Sequence, residues 1–325
     1  MKLRVAVIYG GRSGEHEISI RSAKSILGAL DRAKYEITEY FITPEGRWRP
    51  RPILPEPGGN PDIDVVFPAL HGTFGEDGTM QGLLEMAELP YVSAGVLASS
   101  AAMDKAVMKR LCTERGLPVV EYVVLDHNSR DIAKVVDHLP FPVFVKPANL
   151  GSSVGISKVN NHEELDAAIR RAQQFDCKVI VERGVKGREF ECSVMGNDHP
   201  EAATPCEILP SREFYDYEDK YLLDTARTEL PAKLPPEQIE QIRRLAVECY
   251  RAVECEIMAR VDFLMESATG RIYINEINTI PGFTSISMFP KMWEHAGVPF
   301  GELLDRLIGL AMDRASRRRA LRYSR

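Results

Sequence analysis

Along the first third of the chain, short β-branched runs alternate with segments whose apolar residues recur every three or four positions. The runs predict strands at residues 5–9, 35–42 and 65–70, and the periodic segments predict helices at residues 18–30 and 79–88. The first run is typical of a strand buried on both faces of a sheet. This alternation predicts a parallel sheet with helices on its faces, in a first α/β domain that closes near Ser93.

The remaining two thirds of the chain carry further strands and helices without an internal repeat or a low-complexity segment. Strands are predicted at residues 119–125, 140–147, 156–159, 179–182 and 190–195, and helices at residues 101–115, 163–174, 236–253 and 300–315. A Ser/Thr/Gly turn between two β-rich runs predicts a hairpin within residues 260–278.

This hairpin carries the most informative polar residues. If it is symmetric about Thr269, Asp262 lies opposite Glu276 and Arg260 lies opposite Asn278. Two carboxylates that face each other destabilise a sheet, and a divalent cation between them reverses that effect. Carboxylate and amide oxygens suit Mg²⁺. The alternative is a solvated hairpin face with chance acids. With strict alternation, Ile272 and Ile274 share the face of Glu276 and Asn278.

The turn that follows the hairpin contains Pro281-Gly282 directly after the strand end. A glycine at this place allows a substrate to approach the backbone closely. Backbone N–H groups there, with Arg260 beside them, could stabilise a developing oxyanion.

Three loops follow predicted strands and could bind ligands. Gly10-Gly11 leads into a helix start with Glu15, which is either a favourable helix-start acid or a carboxylate for a substrate ammonium. His71 and Glu76 follow the third strand, where ligands of open α/β sheets bind, although a lone histidine is often structural. Residues 149–155 form a Gly/Ser loop that could bind phosphate, or a plain turn; no P-loop motif is present.

Composition and charge exclude several classes of protein. The 325 residues are enough for two or three domains, and the formal net charge of −6 gives no reason to expect nucleic acid or an anionic membrane as partner. The six cysteines form no C-x-x-C pair, and no apolar run reaches transmembrane length, so we expect free thiols and a cytoplasmic protein. The Arg-rich residues 314–325 are expected to be a solvated helix end.

Eight motifs in order make the chain similar to the D-alanine–D-alanine ligases of the ATP-grasp superfamily. They span residues 9–288 and read GGRSGEHEIS, LHGTFGEDGT, MDK, VKPANLGSSVGISK, VIVERGVKGREFECSV, FYDYEDKY, ARVDF and NEINTIPGFTSIS. The resemblance implies an α/β and α+β protein with an ATP-grasp fold and an N-terminal Rossmann-like domain. It implies an N-terminal domain at residues 1–97, a central ATP-grasp subdomain at 98–183 and a C-terminal subdomain with the metal site at 184–325.

The same resemblance implies an activity and its cofactors. The family condenses two D-alanines for peptidoglycan and splits ATP to ADP and phosphate, through an acyl phosphate and then a tetrahedral intermediate. Such chemistry depends on positioning and on charge stabilisation. ATP and two Mg²⁺ or Mn²⁺ ions are expected. Kinship also implies a homodimer without nucleic-acid or membrane partners.

The residue roles implied by the resemblance fall into four sets. The catalytic set is Glu15, Ser152, Tyr221, Arg260 and Gly282. The substrate-binding set is Glu15, His71, Tyr221, Ser287 and Met288. The ATP-binding set is Lys105, Lys146, Gly151, Ser152, Ser153, Val154, Glu182, Arg183, Gly184, Val185, Glu189, Lys220 and Asn275. The metal ligands are Asp262, Glu276 and Asn278.

Other functions remain open on the residues alone. Tyr221 favours D-alanine over D-lactate in the second site and leaves D-serine open. Another ATP-grasp carboxylate–amine ligase would keep the lysines and acids but change Glu15, Tyr221 and Ser287. An ATP-binding regulator without turnover is a second alternative. An NAD(P)-linked oxidoreductase would depend on the N-terminal loop alone, which lacks the six-residue glycine fingerprint.

Overall fold

Three β-sheets with helices packed against them make up the part of the chain that the structure describes. It is a computed structural model, and it describes residues 2–126, 135, 137–151, 154–209 and 227–322. The first sheet has strands β1 (Leu3–Gly10), β2 (Tyr35–Ile42), β3 (Trp48–Arg49) and β4 (Val65–Pro68), in the order β3-β2-β1-β4. The helices of this region are α1 (His16–Ala29) and α2 (Thr79–Met86).

Strand β1 is central in this sheet and runs parallel to both β2 and β4, as predicted. Val5, Val7 and Ile8 on β1 are buried, which agrees with a strand covered on both faces. Because β1 and β4 are parallel neighbours, the loops that follow them meet at one edge of the sheet. These loops carry Glu15 and His71.

The prediction of one helix over residues 101–115 is wrong, because two helices meet within it. They are α3 (Val96–Met103) and α4 (Lys105–Glu114). Asp104 between them is extended, with φ −83° and ψ 99°, and its carboxylate accepts hydrogen bonds from Ala106 N and Val107 N at 3.0 Å. Aspartate is a favoured N-cap, so Asp104 starts a new helix and makes Lys105 its first residue.

The second sheet consists of antiparallel strands in the order β5-β8-β6-β7. The strands are β5 (Tyr122–Leu125), β6 (Val143–Pro147), β7 (Ser157–Val159) and β8 (Val179–Arg183), and helix α5 is His162–Ala172. Val143, Val145 and Val181 pack with residues of α5 in one apolar cluster. Side chains alternate along a strand, so Lys146 and Glu182 lie on the opposite face.

The third sheet contains the hairpin and is the largest. Its strands are β9 (Gly187–Gly196), β10 (Glu201–Ala202), β11 (Cys206–Leu209), β12 (Arg227–Glu229), β13 (Ile257–Glu266) and β14 (Ile272–Asn278). Its order is β12-β11-β9-β13-β14, with β10 also paired to β9. The associated helices are α6 (Pro236–Ala252), α7 (Met288–His295) and α8 (Phe300–Arg319). One apolar cluster includes residues of β1, β4, α7 and α8, so the two ends of the chain share a core.

The register of the β13–β14 hairpin agrees with the symmetric prediction at the polar residues. Asp262 lies opposite Glu276 and Arg260 lies opposite Asn278. A β-bulge at Asn275 shifts the pairing, so that Phe263 lies opposite Ile274 rather than Asn275. The prediction that Ile272 and Ile274 share the face of Glu276 and Asn278 is therefore wrong. Both isoleucines pack with Phe263 in the core beneath the sheet.

The prediction that residues 314–325 form a solvated helix end is wrong for Arg314. Arg314 is 3% exposed, and its guanidinium donates to Ser93 O at 2.7 Å and to Tyr91 O at 3.0 Å. Arg317 also pairs with Asp198 at 2.8 Å. Arg314 thus holds α8 against the segment of Tyr91 and Ser93, and Arg317 holds it against the loop after β9.

The cysteines agree with the expectation of free thiols. All six are free, and Cys177 is the exposed one. Within the ranges that the structure covers, no helix has both the length and the apolar character needed to span a membrane.

Candidate active site

Glu15 lies where two glycine-bearing loops approach the start of α1. A Cβ added to Gly72 would lie 2.5 Å from Glu15 Oε2, and one added to Gly151 would lie 3.6 Å from the same oxygen. Gly72 also has φ +72°, which L-residues rarely adopt. Glycine at position 72 therefore allows the loop after β4 to pack against this carboxylate.

A buried serine fixes the start of α1 against the first sheet. Ser19 Oγ accepts from Gly10 N at 2.8 Å and donates to Ala69 O at 2.5 Å. The hydroxyl therefore links the ends of β1 and β4 to the helix and sets the position of Glu15 one turn earlier. Ser19 has no role among the residues expected from the sequence.

Some members of each of the four sets line one cleft between α1, α4 and the hairpin. Its polar lining is Glu15, Glu76, Lys105, Arg260, Glu276, Asn278 and Thr279, and Gly151 also borders it. The cleft thus brings together an acid for an ammonium group, two cations and part of the expected metal set.

Glu76 is an acid of this cleft that the implied residue sets do not contain. It is 8% exposed, and its Oε1 accepts from Gly72 N at 2.8 Å. Burial and the nearby charge of Glu15 raise the pKa of Glu76 to about 8. Glu76 is therefore mainly protonated at neutral pH.

His71 is held in one tautomer by a buried hydrogen-bond chain. Its Nδ1 lies 3.1 Å from Ile280 O, and because a carbonyl only accepts, Nδ1 carries the proton. Burial lowers the pKa of His71, so the ring is neutral and Nε2 accepts from Ser22 Oγ at 2.9 Å. Ser22 Oγ in turn accepts from Phe283 N at 3.2 Å. The chain connects α1, the loop after β4 and the turn after β14.

The two lysines expected to bind phosphate, Lys105 and Lys146, come from different elements, α4 and β6. Lys105 Nζ donates to Leu150 O at 2.7 Å and lies 3.6 Å from Glu276 Oε2. Lys146 Nζ donates to Glu182 Oε2 at 2.9 Å. Both side chains are largely buried, with 9% and 12% exposure, so each ammonium is oriented by its partners.

Each of the two expected metal-ligating acids has a cation beside it, and Arg260 also lies 3.3 Å from Glu191. Arg260 binds Asp262 through two hydrogen bonds, Nε to Oδ1 at 2.7 Å and Nη2 to Oδ2 at 2.6 Å. The described residues contain no group of three or more His, Cys, Asp or Glu side chains arranged around a metal position. The donor set of two carboxylates and one amide, on one face of the hairpin, nevertheless fits a hard divalent cation.

The expected adenine edge, residues 182–185, offers mainly its backbone. Glu182 is 2% exposed, so its side chain points into the protein. Arg183 pairs with Glu121 and Glu266, both at 2.7 Å. Gly184 N donates to Pro142 O at 2.8 Å, and a Cβ on Gly184 would lie 2.6 Å from that oxygen. The side chains of Glu182 and Arg183 are therefore engaged within the protein and support this edge.

Gly282 and Ser287 lie close together in the turn before α7. A Cβ on Gly282 would lie 2.6 Å from Ser287 Oγ, so only glycine fits without a shift. Ser287 Oγ also accepts from Thr284 N at 3.0 Å. The Met288 side chain is buried in the apolar core, with the residue 6% exposed. Its backbone N–H lies in the first turn of α7, where N–H groups have no partner within the helix.

The remaining expected residues lie beside or outside these groups. Glu189 is on β9 opposite Leu264, Asn275 is the bulge residue of β14, and Val154, within residues 149–155, is 38% exposed. Ser152, Ser153, Lys220 and Tyr221 lie outside the described residues.

Family models match most of the chain. The model described as D-ala D-ala ligase C-terminus matches residues 111–309, and the model described as D-ala D-ala ligase N-terminus matches residues 4–56 and 54–94. A curated relative named D-alanine–D-alanine ligase from Solibacter usitatus is 67% identical over 325 residues and covers all of both chains. A relative of the same name from Thermoanaerobacter sp. is 48% identical, covering 96% of this chain and 97% of its own.

Solved structures agree with the sequence relatives. The D-alanine-D-alanine ligase from Coxiella burnetii superposes with a TM-score of 0.88 at 38% identity, over 98% of this chain and 96% of its own. The VanG D-Ala:D-Ser ligase from Enterococcus faecalis superposes with a TM-score of 0.89 at 34% identity, over 96% of this chain and 100% of its own. The protein has the ATP-grasp fold of these ligases, and it belongs to the D-alanine–D-alanine ligase family.

Proposed function

We propose that this chain joins two D-alanines to D-alanyl-D-alanine for peptidoglycan synthesis and splits ATP to ADP and phosphate. The observation that carries this proposal is the 67% identity over the full length to a relative named for the reaction. The cleft supports it, because Glu15, Lys105, Arg260 and Glu276 meet there. These are charges that a zwitterionic amino acid and a phosphate donor require.

The first step uses the carboxylate of one D-alanine as nucleophile. Its oxygen attacks the γ-phosphorus of ATP, the bond to the β-phosphate oxygen breaks, and an acyl phosphate and ADP result. Glu15 holds the ammonium of this D-alanine, and His71 lies beside it. The neutral, Nδ1-protonated ring of His71 is fixed by Ser22 and so contributes shape and polarity without charge.

The second step uses the amine of the other D-alanine. Its neutral nitrogen attacks the acyl carbon, and the bond from that carbon to the phosphate oxygen breaks as the tetrahedral intermediate collapses. The proton lost by the nitrogen leaves with the phosphate as hydrogen phosphate. Arg260 and the Gly282 N–H stabilise the oxyanion that forms. The carboxylate of this second D-alanine binds at Ser287 and the Met288 N–H, because the first turn of α7 presents unpaired N–H groups to an anion.

Asp262, Glu276 and Asn278 would hold two Mg²⁺ or Mn²⁺ ions that neutralise the phosphate oxygens. Arg260 binds Asp262 here and Lys105 lies near Glu276, so these cations compensate the acids when no metal is bound. The position of Asp262 opposite Glu276 supports this role, since a pair of carboxylates needs positive charge.

The nucleotide is proposed to bind between the second and third sheets. Lys105, Lys146 and Lys220 bind its phosphates, and the loop of Gly151, Ser152, Ser153 and Val154 covers them. The backbone of residues 182–185 binds the adenine, Glu189 binds the ribose and Asn275 lies on the nucleotide side. Three domains, at residues 1–97, 98–183 and 184–325, a homodimer and a cytoplasmic location belong to the same proposal.

A second candidate keeps the chemistry and changes the second substrate. One structural neighbour is named a D-Ala:D-Ser ligase, so D-serine is the competing acceptor. Tyr221 favours D-alanine, and it acts with Glu15 and Ser152 in a hydrogen-bonded set that closes the site.

Phosphate release from ATP and Mg²⁺ tests the proposal when it is measured with D-alanine, with L-alanine and without amino acid. We expect release only with D-alanine and a product mass equal to the dipeptide. Addition of D-serine or D-lactate then identifies the second substrate. ATP binding without D-alanine-dependent release would reject the ligase function and favour a regulator or another ATP-grasp substrate.

A further inference from the structure

A cluster of three charged residues lies behind the expected nucleotide site. Glu182 is at its centre, with Lys146 Nζ at 2.9 Å from Oε2 and Lys109 Nζ at 3.3 Å from Oε1. Lys109 is completely buried, the Glu182 side chain is 3% exposed and the Lys146 side chain is 12% exposed. Among these three groups, Lys146 therefore has the greatest access to a ligand.

The elements that carry the cluster also carry the expected phosphate lysines. Lys109 follows Lys105 by four residues on α4, so both project from the same face of that helix. Glu182 on β8 lies opposite Phe144 on β6, and Lys146 is two residues further along β6. Lys146 and Glu182 are thus diagonal neighbours on one face of the second sheet, and Lys109 reaches the carboxylate from the helix.

The charges of the cluster explain why two lysines are present. Lys146 and Glu182 alone would form a neutral pair with little attraction for a phosphate. A second cation on the other carboxylate oxygen leaves the cluster with a net charge of +1. Because Lys109 and Glu182 are almost inaccessible, that charge is presented to the cleft by Lys146. Burial strengthens the effect, since water screens buried charges less.

We propose that Lys109 is a positioning residue for ATP, which holds the Glu182 carboxylate and thereby leaves the charge of Lys146 available to the nucleotide phosphates. This inference rests on the proposed function, in which Lys146 contacts those phosphates. Lys109 itself does not touch the nucleotide, and its influence passes through Glu182.

The pKa shifts agree with a charged carboxylate between two cations. Burial raises the pKa of Glu182, but the charges of Lys109 and Lys146 outweigh it and hold the pKa at about 2. Burial lowers the pKa of Lys146, and the charge of Glu182 outweighs it, so the pKa is raised. Burial dominates for Lys109 and lowers its pKa. Glu182 opposes this shift, because its negative charge favours the protonated form of Lys109.

Direct ATP binding, measured by titration calorimetry with ATP and Mg²⁺ but without D-alanine, tests the inference. Lys109→Met keeps the length and packing of the side chain and removes its charge. We expect its Kd for ATP to rise by about tenfold, because Glu182 then neutralises Lys146. Arg110→Met is the matched control on the same helix, since Arg110 is exposed, and its Kd should stay within about twofold of the parent value.

A double variant separates this electrostatic role from a purely structural one. In Lys109→Met/Glu182→Gln the carboxylate charge is also removed, so Lys146 again carries an uncompensated charge. We expect the double variant to bind ATP at least about threefold more tightly than Lys109→Met alone. It also lacks the unpaired buried carboxylate, so if Lys109→Met does not fold, the double variant is compared with the parent, and its Kd for ATP should lie within about threefold of the parent value.

Two outcomes would overturn the inference. One is parental ATP affinity in Lys109→Met, and the other is a double variant that binds no better than this single variant. The KM values provide a further check, since Lys109→Met should raise the KM for ATP and leave the KM for D-alanine near the parent value. The binding measurement needs no D-alanine turnover, so its failure is distinguishable from failure of the proposed ligase activity.

Discussion

Asp262 and Glu276 lie directly opposite each other on β13 and β14, so two carboxylates share one face of the hairpin. Their charges are compensated by Arg260, which binds Asp262, and by Lys105 at 3.6 Å from Glu276. Under the proposed function, bound metal takes over this compensation and releases both cations toward the reacting groups. Asp262 and Glu276 would then bind the metal, and the same binding would free Arg260 to contact the reacting groups.

Glu276→Gln should reduce turnover to below about 1% of the parent value, because an amide binds a divalent cation more weakly than a carboxylate does. Mg²⁺-dependent phosphate release measures the effect. Glu201→Gln, at an exposed position of β10 in the same sheet, is the control and should keep parental turnover. Activity of Glu276→Gln within a few-fold of the parent would reject the metal assignment.

Gly282→Ala should destabilise the protein by about 1–3 kcal/mol, because the new Cβ would meet Ser287 Oγ at 2.6 Å. Adding Ser287→Ala removes that oxygen, so the double variant should regain part of the lost free energy of unfolding. Urea unfolding of both variants measures this coupling. Gly309→Ala on α8 has open space around its Cβ and should be neutral or slightly stabilising. Additive effects of the two substitutions would show that the contact is unimportant.

Ser22→Ala should raise the KM for D-alanine and destabilise the protein by about 1–3 kcal/mol, because His71 Nε2 and Phe283 N lose their shared partner. Initial rates over a range of D-alanine concentrations and urea unfolding measure the two effects. Ser25→Ala is a suitable control, since Ser25 is on the same helix and bonds only locally to Arg21 O. An unchanged KM for D-alanine in Ser22→Ala would show that the orientation of His71 does not contribute to D-alanine binding.

Glu76→Gln should make the ligand-free protein relatively more stable as pH rises. The pKa of Glu76 is raised to about 8 in the folded protein, so the folded state holds a proton that the unfolded state loses above its ordinary carboxyl pKa. The parent therefore loses stability between about pH 4.5 and pH 8, by a few kcal/mol at most, and the glutamine variant does not.

The test of Glu76 is urea unfolding of parent and variant at pH 5 and at pH 8. The difference in the free energy of unfolding, variant minus parent, should be larger at pH 8. Glu88→Gln is the control at an exposed position, and its difference should not change with pH. An equal difference at both pH values for Glu76→Gln would mean that Glu76 is ionised in the folded protein at neutral pH.

The parallel strands and the polar register of the hairpin were predictable from the sequence. Strand β1 is apolar because it is covered on both faces, and the turn at Thr269 gives the pairing of Asp262 with Glu276. Other features depend on contacts between distant segments. The bulge at Asn275 is an exception, because the isoleucine after Ile274 is Ile277, three positions further on rather than two, and this break in the alternation was a signal. Whether Lys109 faces water or a buried carboxylate is decided by β8, which lies about seventy residues away.

A second missed feature, the break between α3 and α4, also had a signal. Asp104 precedes Lys105 in a segment that is otherwise apolar enough for one continuous helix, and aspartate is a favoured N-cap. A search for caps within the predicted helix would have divided it at the correct residue. The roles of Ser19 and Ser22 had no such signal, because a serine in a helix is ordinary until its partners on other elements are known.

The bulge at Asn275 lets residues two positions apart on β14 face opposite sides of the sheet. Ile272 and Ile274 enter the core, while Glu276 and Asn278, further along the strand, face the cleft. Deleting Asn275 would make Ile274 and Glu276 direct neighbours, which lie on opposite faces of a regular strand, so both sides of the strand would be kept without the bulge. Closing the bulge with all residues retained would instead bring Glu276 onto the face of Ile274. Natural variation in this strand can therefore include the loss of this one residue, because neither the core side nor the cleft side depends on its presence.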